Sequence, residues 1–355
     1  MSVPQIYGHQ AARTGASQAL RSGRLPQVTM VTGPGGVGKQ RFSLWLGQLL
    51  LCEAPGEEPC GSCRPCRQVQ DLTHPDLHWF IPIPRPKAGE ADRQVEEAAD
   101  LLAEAIAARR ETPFYDPPDG LAFHPLASIR LLLRRAALTP VQGGRKVFVL
   151  GEADRLVPQE SSPEAANALL KFLEEPPVDT WVILTATEAE RVLPTIRSRV
   201  VPVRLSRLPD SEVRVFIEAV LRPSAPEAVD DLLKQAAGLI GRLAGGAGEG
   251  AGERARLATE ARALLDSLAE GAGGRERFER ALKQPPWAAR GRFTELLDAV
   301  ATELLFRARR STDRERLLAL TVALQRVETA REEAQGNVNP QLILADLAGE
   351  LAALA

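Results

Sequence analysis

Gln27-Val28-Thr29-Met30-Val31-Thr32-Gly33-Pro34-Gly35-Gly36-Val37-Gly38-Lys39-Gln40 is the stretch on which the reading of this chain turns. Short apolar sequence ending in Gly33-Pro34 has the composition of a buried strand running into a turn. The glycines at 33, 35, 36 and 38, with Lys39 directly behind, suit a loop whose backbone N–H groups cradle phosphates while the lysine reaches the terminal ones. A glycine turn without that role is the bland alternative. Lysine is scarce among the 44 basic residues, most of which are arginine, so its presence here carries some weight.

The residue after Lys39 is Gln40, where such loops place Ser or Thr to ligate Mg²⁺ beside a nucleotide. A second strand signal, Lys146-Val147-Phe148-Val149-Leu150, runs into Gly151-Glu152-Ala153-Asp154. Glycine stands there in place of the first metal-holding carboxylate, and Glu152 stands where a residue would orient attacking water. With two magnesium contacts missing, hydrolysis by this chain alone is expected to be weak or absent, although ATP binding is not excluded. Glu152 and Asp154 serve equally well as caps of a following helix.

Further strand signals at Thr180–Thr185 and Val200–Leu205, with a helix from about Pro163 to Glu175 between strands, predict a parallel α/β sheet. A helix is expected to end at Arg21 ahead of the first strand. Residues 84–124 read as an insertion, an acidic, alanine-rich helix between prolines, expected to be a solvated face or a partner surface. Helical periodicity alone follows residue 205, broken by a glycine-rich linker at 245–252, so residues 253–355 are expected to form an all-helical domain.

Cys52, Cys60, Cys63 and Cys66 are all the cysteines in the chain. Two overlapping C-x2-C steps on a Gly- and Pro-rich loop supply four thiolates, enough for one tetrahedral Zn²⁺ with no open position, hence a structural knuckle. Reduced cysteines without metal are the alternative, and His74 and His78 are not needed as ligands. The 355 residues carry a net charge of −2, which argues against a dedicated sequence-reading DNA binder and leaves any DNA contact shared or local. No apolar run is long enough for a membrane span, and Met1–Gln5 has no export leader, so a cytoplasmic location is expected.

Ala166-Asn167-Ala168-Leu169-Leu170-Lys171-Phe172-Leu173-Glu174-Glu175-Pro176-Pro177 resembles the signature helix of clamp-loader AAA+ subunits. The resemblance continues through Arg24-Leu25-Pro26, the phosphate loop, the cysteine module, His74-Pro75-Asp76, Leu138-Thr139-Pro140 and Thr195-Ile196-Arg197-Ser198-Arg199. It covers roughly residues 4–245 apart from the insertion.

That likeness implies a RecA-like AAA+ domain over 1–205, a small helical lid over 206–244 and an oligomerising collar over 253–355. Gln40 and Gly151 favour the non-motor, delta-prime type of bacterial DNA polymerase III clamp-loader subunit over its motor types. Ser198 and Arg199 match the family's Ser-Arg-Cys motif, with Val200 departing from it. The resemblance therefore implies that Arg199 is an arginine finger for ATP bound by a neighbouring subunit; on its own the residue reads as a salt-bridge arginine. Thr187 is placed like the family's first nucleotide sensor, and Arg242 lies in a segment similar to the one bearing its second. Implied partners are gamma/tau and delta subunits and, through the complex, the sliding clamp and primed DNA. An active ATPase using Gly33–Lys39 with Glu152, of gamma/tau type or another AAA+ remodeller, is the competing reading.

Overall fold

A computed structural model describes residues 5–111, 122–156, 163–223, 226–244, 250–269, 290–335 and 339–352. The chain divides into two compact units, residues 1–244 and 245–355.

In the first unit the described elements run α1 (Gln10–Arg21), β1 (Val28–Thr32), α2 (Lys39–Leu51), α3 (Arg64–Gln70), β2 (Leu77–Phe80), α4 (Ala91–Glu111), α5 (Leu126–Ala136), β3 (Lys146–Leu150), α6 (Glu164–Glu174), β4 (Thr180–Ala186), α7 (Pro194–Arg197), β5 (Val201–Arg204), α8 (Asp210–Phe216), α9 (Pro226–Ala236) and α10 (Gly241–Ala244). The five strands form one parallel sheet in the order β2-β3-β4-β1-β5. Central strands of such a sheet are covered on both faces and so become continuously apolar; β3 is buried at every residue.

Consecutive side chains of a strand point to opposite faces. Val147 lies against Gly47 of α2, whereas the Phe148 ring meets Phe172 of α6 edge-on, with centroids 5.8 Å apart. Helices α2 and α6 therefore cover opposite faces of the sheet, giving the expected parallel α/β architecture. β2 and α5 were not anticipated, although Ile129, Leu132 and Ala136 of α5 recur at helical spacing. β2 is only four residues long, and α5 is recognised by its packing against α4 and α6.

The insertion is more deeply integrated than expected. Val95, Ala98 and Leu102 of α4 are buried in the same core as the sheet, and the Arg109 guanidinium lies 5.3 Å from the centre of the Trp79 ring. The acidic residues noticed in the sequence occupy the outer face of an amphipathic helix whose apolar stripe faces α5. Residues 112–121 of the insertion lie outside the described residues.

After β5, α8, α9 and α10 gather a smaller core around Val213, Phe216, Leu233 and Leu243, which Tyr7 joins edge-on against Phe216. In the second unit the described elements are α11 (Gly250–Ala269), α12 (Arg290–Arg310), α13 (Arg314–Gln335) and α14 (Pro340–Ala352), packed around Leu264, Phe293, Leu297, Val300, Val327 and Leu347. α11 begins at Gly250, inside the stretch read as a linker, and residues 245–249 lie outside the described residues. A first helical turn has unpaired N–H groups in any case, so glycine is tolerated there better than in a helix interior.

Because Leu102 is 1% exposed, Leu102→Ala is expected to lower stability by about 2–5 kcal/mol in urea unfolding. Glu104→Ala on the exposed face should change little. Equally small effects at both positions would show that α4 does not share the core.

Candidate functional site

Parallel pairing in register places Thr32 beside Ala186 and Leu150 beside Leu184. The segments that leave β1, β3 and β4 consequently emerge along one edge, the position where open α/β sheets assemble their sites. The glycine loop, the Gly151–Asp154 turn and Thr187 all stand on this edge.

Lys39 opens α2 and is 8% exposed. Its Nζ turns back and donates to the carbonyls of Gly33 (2.8 Å) and Pro34 (3.1 Å). Burial pulls its ammonium down to about 8, against the upward pull of the Asp154 and Glu152 carboxylates. The Val37 carbonyl accepts a hydrogen bond from Nε2 of His9 at 2.8 Å, and the Gly36 carbonyl accepts one from the N–H of Gly241 at 2.8 Å. A Cβ on Gly241 would stand 2.6 Å from the Gly36 Cα, so glycine at 241 is what lets α10 seat on the loop, while Gly36 has a left-handed backbone (φ 78°). The segment carrying Arg242 thus lies against the loop.

Around Gly151 the backbone is held on three sides. Its N–H donates to Phe80 O at 2.8 Å, its carbonyl accepts from buried His124 Nε2 at 2.7 Å, and the side-chain direction points at the Gln40 carboxamide. Burial keeps His124 neutral, pulling its imidazole down to about 4. Glu152 adopts a left-handed backbone (φ 55°), and its N–H donates to Thr185 Oγ1 at 2.9 Å. One carboxylate oxygen accepts from Gln40 Nε2 at 3.3 Å, and the other pairs with Arg155 at 2.9 Å. Glu152 therefore does not cap the short turn Ala153–Arg155. Asp154 accepts from the Thr187 N–H at 3.3 Å. The contacts from Gln40, Arg155, His9 and His124 were not anticipated; only the i,i+3 spacing of Glu152 and Arg155 was visible in the sequence.

Arg199 is set apart from this group. It follows α7, its side chain is 30% exposed, and its guanidinium donates to Glu174 at the end of α6, to Thr195 O at 2.9 Å and to Ser198 Oγ at 3.3 Å. Ser198 Oγ in turn donates to Thr195 O at 3.1 Å.

The cysteines form a second centre beside α2. The Sγ atoms of Cys52, Cys60, Cys63 and Cys66 all lie within 4.8 Å of one another, and none is in a disulfide. Tetrahedral Zn²⁺ with bonds of about 2.3 Å needs sulfurs about 3.8 Å apart; Cys60 and Cys66 stand at 3.9 Å. Backbone N–H groups of Cys60 and Cys63 donate to Cys52 Sγ and Cys60 Sγ, as thiolates require. N–H donors pull Cys60 down to about 6, whereas burial pushes Cys52 and Cys66 up. A divalent ion would offset the cost of ionising the buried pair, so the donor set fits zinc. His74 accepts from the Asp76 N–H and His78 stacks on Phe148, and neither joins the cluster. Gln48 of α2 donates to Cys66 O, Trp45 of α2 to Glu58, and Ser17 of α1 to Glu57 O, fastening the knuckle to both helices.

The purified chain should carry about one zinc ion, as measured by atomic emission. Cys60→Ser/Cys63→Ser should lose it with a clear fall in thermal midpoint. A metal-free chain of unchanged stability would overturn the assignment.

The family model described as DNA polymerase III, delta subunit matches residues 8–209. Curated relatives include the DNA polymerase III subunit delta' of Escherichia coli, 32% identical over 51% of this chain and 42% of its own length. The subunit delta' of Bacillus subtilis is 29% identical over 51% of this chain and 42% of its own length. The gamma/tau subunit of Mycobacterium tuberculosis is 28% identical over 62% of this chain and 31% of its own length. The chain thus spans less than half the length of these relatives. The model match covers more than half of the chain, which belongs to the DNA polymerase III delta-subunit family.

Proposed function

We propose that this chain is the non-motor, delta-prime-type subunit of a bacterial clamp loader, hydrolytically silent itself and serving ATP bound on a neighbour. The observation that carries this reading is the state of Glu152. A carboxylate that orients water needs a free oxygen and a metal-bound nucleotide beside it. Here both oxygens are engaged, one by Gln40 and one by Arg155. Lys39 is meanwhile drawn onto the carbonyls of its own loop.

Arg199 supports the second half of the reading. Its pair with Glu174 is a partly exposed one, worth at most about 1 kcal/mol. The guanidinium is therefore readily given up to a phosphate offered by another subunit. Charge developing on a γ-phosphate in the transition state is what such an arginine stabilises, with no need of metal in its own chain. In this scheme residues 206–244 are the lid, residues 253–355 the collar that joins gamma/tau and delta subunits, and the assembly loads a sliding clamp onto primed DNA in the cytoplasm.

The test is ATP turnover, with primed DNA and clamp, by the chain alone and in complex with its gamma/tau and delta partners. The isolated chain should be silent. Arg199→Ala should slow the site it completes by roughly a hundredfold or more while the complex still assembles in gel filtration. Robust turnover by the isolated chain, or turnover indifferent to Arg199, would refute the reading.

A further inference from the structure

The family likeness implies Mg²⁺ beside the loop, and the residues present do not fit it. Gln40 and Gly151 read in the sequence as two separate losses; their geometry makes them one device. A Cβ built on Gly151 would lie 3.4 Å from Gln40 Nε2, 3.5 Å from Gln40 Cδ and 3.4 Å from Phe80 O. The Gln40 carboxamide thus fills the volume toward which an aspartate at 151 would extend. From there its NH₂ group, the positive end of the amide dipole, donates to Glu152 Oε1 at 3.3 Å.

We infer that the Gln40 carboxamide, admitted by the missing side chain at Gly151, stands in for the divalent cation of this site and excludes it. A carboxylate near the loop needs positive charge beside it, and Gln40 with Arg155 meets that need for Glu152. An amide NH₂ has no lone pair to offer a metal. Its carbonyl oxygen alone cannot replace a hydroxyl and a carboxylate in an octahedral shell of about 2.1 Å. The loop keeps Lys39 and its backbone amides, so its ligand class is a polyphosphate without a divalent cation. Replacing either residue singly leaves the site unable to hold the ion: with Thr at 40 residue 151 still offers no carboxylate and that of Glu152 stays paired with Arg155, and Asp at 151 meets the amide.

This inference rests on the silent-subunit reading but is tested apart from it, with the isolated chain and no turnover. Fluorescent ATP is titrated into the wild-type chain, Gln40→Thr, Gly151→Asp and Gln40→Thr/Gly151→Asp, each in Mg²⁺ and in EDTA. Wild type and both single variants should show less than about a twofold difference between the two conditions. The double variant should bind at least about tenfold more tightly with Mg²⁺. Should the double variant fail to fold, Gln40→Ser/Gly151→Asp, with a smaller hydroxyl side chain at 40 and the carboxylate kept at 151, carries the same expectation. Mg²⁺-dependent binding by the wild type, full rescue by one single change, or no Mg²⁺ dependence in a folded double variant each overturns the inference. Arg199-dependent turnover in the complex is untouched by any of these results, so the two readings fail separately.

Discussion

Parallel hydrogen bonding among β1, β4 and β3 is the constraint from which the site follows. In-register pairing sends the three chain segments out on one edge, and the glycine loop, the Gly151–Asp154 turn and Thr187 are arranged along it. A slip of one residue would turn the strands' side chains to the opposite faces and separate Gly151 from Gln40. Full burial of β3 and most of β4 makes such a slip costly, since both faces are packed against helices.

On that edge the residues satisfy one another. Lys39, His9 and the Gly241 N–H take up loop carbonyls, while Gln40 and Arg155 take up the Glu152 carboxylate. Buried polar groups are stable only when their partners are present. A site built for turnover leaves donors and acceptors for the substrate, and this one directs most of its polar groups inward. Arg199 stands apart from this group, held by a partly exposed partner at the end of α6.

Much of this was legible in the sequence because it is local. The glycine loop, the strands at 146 and 180, the α6 helix and the cysteine spacing each show in a window of a dozen residues. Gln40 and Gly151 could be recognised as departures one at a time. Their contact could not, because it joins positions more than a hundred residues apart, and neither carries a signal about the other. β2 is too short to establish a period. The helical spacing of Val95, Ala98 and Leu102 in the insertion is visible in the sequence, but their burial in the core of the sheet is not, because the residues they pack against lie elsewhere in the chain.

α2 carries Lys39 as its first residue and leads directly into Cys52 of the cysteine knuckle, with Trp45 at its middle and Gln48 in its last turns donating to Glu58 and to Cys66 O. Thirteen residues of helix make a rod about 20 Å long. Phe42 to Leu51 are all buried, so the helix is held along its length and behaves as one stiff strut in the core. The knuckle and the loop, which do not touch, therefore share one structural part, and the same buried strut is the backbone of both.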